Sequence, residues 1–470
     1  MLYFSTRGRA PAASFDAVLL AGLAPDGGLY MPESWPSPIK GPITDLAGEP
    51  FAKVAARVLE PYVTPWLGAD ELAEMAARAF SSFGRADVAP LVELSDDGWL
   101  LELFHGPTLA FKDVAMQMLG VMFDRALAEK NRRATIIGAT SGDTGGAAIE
   151  AFKGREQVDV FILHPKGKVS EVQRRMMTST PDENVHNIAV EGTFDDCQRI
   201  VKSLFSDAPF AEKVSLSGVN SINWARLAVQ TVYYFTALAD LAGRTGAKEA
   251  SFCVPTGNFG DAFAGYAALK MGAPIRRLAI AVNRNDILHR AIETGAYAPK
   301  AAAPTTSPSM DIQVASNFER ILFEASGRNA DAVSALMKEL DEEGGYEIPP
   351  DWLAEIRKTF VSARVDEAED RDTIARVWRE HEMLIDPHTA VGVAAAAKLR
   401  AEGRLEGPVI TLATAHPAKF PEAVKAASGQ WPGLPAHLSD LYDLPERMID
   451  APAEVAAVRE IIGQNARAGR

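Results

Sequence analysis

Lys112 closes the stretch Leu103-Phe104-His105-Gly106-Pro107-Thr108-Leu109-Ala110-Phe111-Lys112 and is followed by Asp113. Most lysines are solvated surface charges. Here Leu109, Ala110 and Phe111 form an apolar wall that would take the ammonium out of water and lower its pKa, the condition for a lysine that forms a Schiff base with a carbonyl. Two glycine-rich turns offer a different chemistry. Ser141-Gly142-Asp143-Thr144-Gly145-Gly146 and Pro255-Thr256-Gly257-Asn258-Phe259-Gly260-Asp261 each join a strand pattern to a helix pattern, leaving backbone N–H groups at the positive end of a helix, where phosphate binds. Such turns also occur for purely structural reasons. Neither is a nucleotide P-loop, because no glycine is followed at the required spacing by Lys-Ser or Lys-Thr. The eight histidines show no H-E-x-x-H spacing, so no metal is expected. Cys197 and Cys253 sit in apolar stretches without C-x-x-C spacing, which supports neither a disulfide framework nor a thiolate metal site.

The elements that must position these groups alternate. Residues 134–137 read as a strand, the first glycine turn follows, a helix runs to Phe152, and residues 158–163 read as the next strand. That is one βαβ unit of a largely parallel sheet flanked by helices. The unit recurs as strand 251–254, the second glycine turn and helix 261–271. A third strand, 409–413, runs into Thr414-Ala415-His416-Pro417, where the proline suits a first helical turn. Lys112 opens a helical pattern with Val114, Met118 and Met122 at four-residue spacing. Thr193 and Asp196 predict an N-cap, and residues 223–241 a long buried helix. Residues 283–316, rich in Pro, Thr, Ser and Ala, read as a connector.

At 470 residues and 47% hydrophobic content, two or three packed domains are expected. A net charge of -14 opposes non-specific binding to nucleic acid or anionic membrane, so any anionic ligand must be held by local groups. No signal-peptide core and no membrane-length apolar run is present in the sequence, and a cytoplasmic setting is expected.

Taken as a set, the residues resemble the longer form of the threonine synthase family, fold type II pyridoxal-phosphate enzymes related in fold to the tryptophan synthase beta chain. The resemblance spans most of the chain. It rests on Gly22-Leu23-Ala24-Pro25-Asp26-Gly27-Gly28-Leu29-Tyr30-Met31-Pro32, the lysine block, Thr140-Ser141-Gly142-Asp143-Thr144-Gly145, Asn220-Ser221-Ile222-Asn223-Trp224-Ala225-Arg226, the second glycine turn and Thr414-Ala415-His416-Pro417-Ala418-Lys419-Phe420. It begins with Leu2-Tyr3-Phe4-Ser5-Thr6-Arg7-Gly8, which argues against a transit peptide.

The resemblance implies two open, largely parallel sheets flanked by helices, with an N-terminal extension over residues 1–95, a smaller α/β domain over 96–220 and a larger one over 221–470. It implies that Lys112 carries pyridoxal 5'-phosphate as a Schiff base and that Gly257, Asn258, Phe259, Gly260 and Asp261 surround the cofactor phosphate. Thr414 would face the ring nitrogen, where a hydroxyl cannot supply the negative charge of an aspartate. Thr144 would lie against ring and substrate, and Asn220, Ser221 and Arg226 would bind the substrate phosphate, the arginine bidentately. Asp143 stands where many relatives of the fold place an asparagine beside the cofactor's 3-hydroxyl. A carboxylate there would repel a phenolate, so a cap or an outward orientation is the alternative. His105, His416 and the block Ile385-Asp386-Pro387-His388-Thr389 could line the site or be structural.

The implied reaction converts O-phospho-L-homoserine and water to L-threonine and phosphate by γ-elimination and β-addition, with Lys112 as base and acid, in a monomer or homodimer. Another type II lyase, a serine or threonine dehydratase or a phospholyase, would share Lys112 and the glycine turn but need not share residues 220–226 or 22–32. A non-catalytic relative would be expected to lose the lysine or the turn.

Overall fold

The computed structural model describes residues 1–140, 142–218 and 221–468. Its strands are near-continuous apolar runs, as sheets covered on both faces require: all eight residues of Val158–Pro165 and all six of Ala250–Pro255 are buried. Two sheets result. The larger has six strands in the order Phe360–Arg364, Ile275–Val282, Ala250–Pro255, Val409–Ala413, Gly98–Glu102 and Leu91–Ser95, parallel throughout except for the last pair. The smaller has five parallel strands in the order Ile449–Pro452, Val185–Glu191, Val158–Pro165, Ala134–Ala139 and Leu216–Gly218. No helix among the described residues is long and apolar enough to cross a membrane.

Sheet membership does not follow the contiguous division expected at residues 95 and 220. Leu91–Ser95 and Gly98–Glu102 join the larger sheet, and Ile449–Pro452 adds an edge to the smaller one. The chain therefore crosses between the sheets early and returns at its end. The predicted buried helix is Trp224–Thr245, capped by Asn223, whose side chain accepts from the Ala225 N–H at 3.0 Å, and closed by Gly246 in the left-handed region. Thr193 and Asp196 form a full capping box for the helix Phe194–Ser206. Pro417 begins only a 3-10 turn, Pro417–Lys419, before the helix Pro421–Ser428.

The connector is more ordered than its composition predicts. It holds the helix Ile287–Thr294, and its later part is pinned by buried amides. Asn283 Nδ2 donates to Thr305 Oγ1 and Asp311 Oδ1, each at 2.9 Å, Asn285 Nδ2 donates to the Ala303 carbonyl at 2.9 Å, and the Thr305 N–H donates to Asp311 Oδ2 at 2.9 Å. Satisfying those backbone groups internally lets an irregular segment line a cavity.

Lys112 opens the helix Lys112–Glu129, which packs on the helix Asp143–Phe152. A Cβ on Gly120 would lie 2.2 Å from the Ala151 carbonyl oxygen, so only glycine permits this approach. Gly120→Ala is expected to part the two helices and cost about 1–3 kcal/mol, read as a lower midpoint in denaturant unfolding. An unchanged midpoint would mean the interface is not so tightly set.

Candidate active site

A cavity of about 790 Å³ opens where the carboxyl ends of strands from both sheets face each other. Open α/β sheets place ligands at such ends, because the turns into the next helices expose N–H groups there. Its lining includes Lys112, Thr144, Ser221, Arg226, Gly257, Asn258, Gly260, Asp261 and Thr414. Phe259 lies behind this wall, fully buried against Phe318 and Phe360. Asn220, with Ser141, lies outside the described residues.

The turn before Lys112 is built from its own polar groups. Asp113, fully buried, accepts from the Thr108 N–H at 2.7 Å and the Thr108 hydroxyl at 2.6 Å, and burial pushes its carboxyl up to about 6. Leu109 takes the left-handed φ of 58° that the turn needs. The Phe111 N–H then donates to the Thr414 carbonyl at 2.9 Å, and the His416 N–H to the Leu109 carbonyl at 3.0 Å. This stitching brings the lysine, Thr414 and the turn Pro417–Lys419 into one wall. The Lys112 ammonium sits 4.7 Å from the centre of the Phe111 ring.

Asp143 neither points away nor merely caps its helix. Its Oδ2 lies 3.2 Å from Lys112 Nζ and accepts from Ser309 Oγ at 3.1 Å. Its Oδ1 lies 2.7 Å from Lys419 Nζ and accepts from Gln173 Nε2 at 2.8 Å. Lys112, Asp143 and Lys419 are 7%, 5% and 1% exposed, so all three charges are out of water. Burial alone would raise the Asp143 carboxyl. The two lysines, Lys419 first, overcome that and hold it well below the usual carboxylate range. Burial lowers the Lys112 amine; Asp143 opposes the shift, and Arg226 and Lys419 add to it.

His388 supports the same wall. Its Nε2 accepts from the Ser309 N–H at 3.1 Å and its Nδ1 faces Asp386 Oδ2 at 2.7 Å, while Asp386 also caps the helix Pro387–Ala401. His105 and His416 are not among the described residues lining the cavity. His105 Nε2 pairs with Glu102 at 2.8 Å, and His416 accepts from the Ala418 N–H and is pushed by burial down to about 4.

The opposite wall suits an anion. A Cβ on Gly257 would meet Ile312, the Ser309 carbonyl and Met310 within 3.2 Å, Phe259 holds a φ of 64°, and the Gly260 N–H donates to Asn258 Oδ1 at 3.1 Å. The Asp261 side chain turns toward Tyr233 and Tyr234, which donate to its Oδ1, and burial pushes the carboxyl up to about 6. Arg226, 3% exposed, keeps Nη1 buried and without a hydrogen-bond partner, and burial lowers the guanidinium to about 10. A buried cation with an unspent donor on a cavity wall is a place for an anionic group. Asn317 Nδ2 donates to the Ser221 carbonyl at 3.1 Å and Arg320 Nη2 to that of Ile222 at 2.7 Å, holding the chain that leads to Arg226.

Lys419, Gln173 and Ser309 were not legible as site residues. Lys419 carries one sequence signal, a charge inside the apolar block 415–420; Gln173 and Ser309 carry none.

Family models described as Threonine synthase N terminus, Pyridoxal-phosphate dependent enzyme and Threonine synthase, C-terminal match residues 2–80, 88–350 and 389–462. Threonine synthase of Pseudomonas aeruginosa is 48% identical over 100% of both chains. This chain belongs to the threonine synthase family. The threonine synthase of Corynebacterium glutamicum is 41% identical over 98% of each chain. The pyridoxal-phosphate-bound threonine synthase of Brucella melitensis superposes with a TM-score of 0.95 at 51% identity, covering 99% of this chain and 100% of that one. The yeast enzyme superposes at 0.93 with 38% identity, covering 99% and 98%. The fold is that of the type II pyridoxal-phosphate enzymes, and the cofactor is pyridoxal phosphate. A buried lysine, a turn whose Gly257 leaves no room for a Cβ and a buried guanidinium with a free donor fit that group and an anion beside it.

Asp143→Asn would leave two ammonium groups buried together. At neutral pH it is expected to lose about 3 kcal/mol in chemical unfolding. A carboxyl held low in the folded state adds stability above its unfolded pKa of about 3.9 and loses it as pH falls through the folded value. The deficit should therefore persist at neutral pH and shrink only in acid.

Proposed function

We infer that the chain converts O-phospho-L-homoserine and water to L-threonine and phosphate, acting as a carbon–oxygen lyase in the last step of threonine biosynthesis. The observation that carries this reading is the buried, unpartnered Nη1 of Arg226 on the cavity wall that also holds Lys112. Lys112 would anchor the cofactor, and the backbone of Gly257, Asn258, Phe259, Gly260 and Asp261 would hold its phosphate. When bound, pyridoxal phosphate withdraws electrons from the substrate's α-carbon. Thr414, on the cavity wall, would face the ring nitrogen, where its hydroxyl would offer a hydrogen bond without a negative charge. Thr144, which lines the same cavity, would lie against ring and substrate.

Lys112 is the residue that moves the α-proton. Its amine can act as base only when neutral, which burial beside Arg226 and Lys419 favours. Arg226, Ser221 and Asn220 receive the substrate phosphate. As that group departs it gains charge, and donors already aimed at it favour the transition state over the bound substrate. Water then adds at the β-carbon. A cytoplasmic monomer or homodimer acting on a small molecule, without nucleic acid, completes the reading.

Purified protein given pyridoxal phosphate and O-phosphohomoserine should release phosphate and threonine in equal amounts; phosphate without threonine would mark a phospholyase instead. Lys112→Ala should lose the visible absorbance of the bound cofactor, and retention of that band on another lysine would overturn the anchor. Arg226→Ala should lower turnover by about 10²-fold with the cofactor band nearly intact. Unchanged turnover would remove Arg226 from the phosphate pocket.

A further inference from the structure

One carboxylate on the cavity wall, Asp143, serves two buried lysines, and it serves them unequally. Lys419 lies 2.7 Å from Asp143 Oδ1, and Lys112 lies 3.2 Å from Oδ2. Lys419 is also held from behind, donating to the Thr108 carbonyl at 2.6 Å. That carbonyl belongs to the turn whose N–H and hydroxyl are fixed by Asp113, the residue after Lys112. Gln173 donates to the same Oδ1 as Lys419, and Ser309 to the Oδ2 that faces Lys112. The two nitrogens thus compete for one anion, and the firmer partner is the one that does no chemistry in the reading above.

We propose that Lys419 is a positioning residue of the site: by holding Oδ1 of Asp143 it weakens the carboxylate's grip on Lys112 and keeps the Lys112 amine free to lose its proton. Without Lys419, Lys112 would be the sole cation on Asp143, and its proton would be drawn to an uncompensated buried anion. With Lys419 present, Asp143 stays ionised whether Lys112 is charged or neutral. The other charged groups facing Lys112 are Arg226, which repels its proton, and Asp261, whose side chain is engaged by Tyr233 and Tyr234. His388 is linked to Asp143 through Ser309 and also acts on it electrostatically, more weakly than the two lysines. Lys419 is the remaining cation in contact with Asp143 among the described residues.

The inference rests on Lys112 being the cofactor lysine. Full-length protein stripped of cofactor is mixed with pyridoxal phosphate, and the rise of visible absorbance is timed from pH 6 to pH 10. Only the neutral amine attacks the carbonyl, so the rate climbs with pH and its midpoint reports Lys112. Lys419→Met is expected to move that midpoint up by about one pH unit, slowing capture at pH 7 by about 10-fold, as loss of a neighbouring unit charge in a partly dry site requires. Lys419→Gln keeps N–H donors toward Thr108 and Asp143 without the charge; it carries the same expectation where the methionine variant does not fold. Lys419→Arg, which restores the charge, should return the midpoint to the wild-type value. A folded Lys419→Gln with an unshifted midpoint overturns the proposal, as does an arginine variant shifted as far as the glutamine one. Undiminished capture by Lys112→Ala would instead show that the cofactor lysine is another residue.

Discussion

The Asp143 carboxylate, buried between Lys112 and Lys419, is the interaction on which the arrangement of the site depends. In a medium of low dielectric an ammonium without a counter-charge gives up its proton or breaks the fold, and two of them together do so more readily. One anion with both oxygens engaged makes the pair tolerable. Its partners come from separate pieces of chain: the start of Lys112–Glu129, the helix Glu171–Thr178, the connector and the turn Pro417–Lys419. Asp143 itself opens a helix of the smaller sheet's βαβ unit, and Lys419 follows a strand of the larger sheet. Electrostatic satisfaction and the apposition of the two sheets are therefore one requirement.

The opposite wall solves a different problem. Arg226 feels the charge of Asp261 without a hydrogen bond from its buried Nη1, and the two tyrosine hydroxyls engage Oδ1 of that buried carboxyl. An arginine bonded bidentately to a carboxylate would have no donor left for a ligand. Keeping Nη1 unspent costs desolvation, seen in the lowered guanidinium, and leaves the group ready for an anion that neutralises it. The glycine turn beside it is shaped by the same economy of space: the connector packs so closely on Gly257 that a side chain there would push it away.

Much of the larger plan was written in local pattern. The βαβ alternation, the capping box at Thr193 and the long apolar helix after Asn223 are short-range properties, fixed by side-chain period and cap chemistry within a few residues. The resemblance of motif blocks carried Lys112, the glycine turn and Arg226 to one family, because those blocks are contiguous. The connector misled for a physical reason. Its overall Pro, Thr, Ser and Ala content hid the helix Ile287–Thr294, whose Ile287, Leu288, Ala291 and Ile292 face the core, and in its later part Asn283, Asn285 and Asp311 satisfy an irregular segment from within.

The amino-acid sequence by itself determined which residues could hold a cofactor, that glycine turns would join strands to helices, and that the strands would be covered on both sides. What tertiary structure decided was partnership. Lys112 and Asp143 stand 31 residues apart and Ser309 another 166 beyond Asp143, and nothing in their spacing says that they meet. Nor does local pattern show that strands Leu91–Ser95 and Ile449–Pro452 would cross the expected domain limits to complete opposite sheets. Periodicity and caps act over a turn or two of chain, whereas the sharing of one buried charge is settled only when distant segments exclude water together.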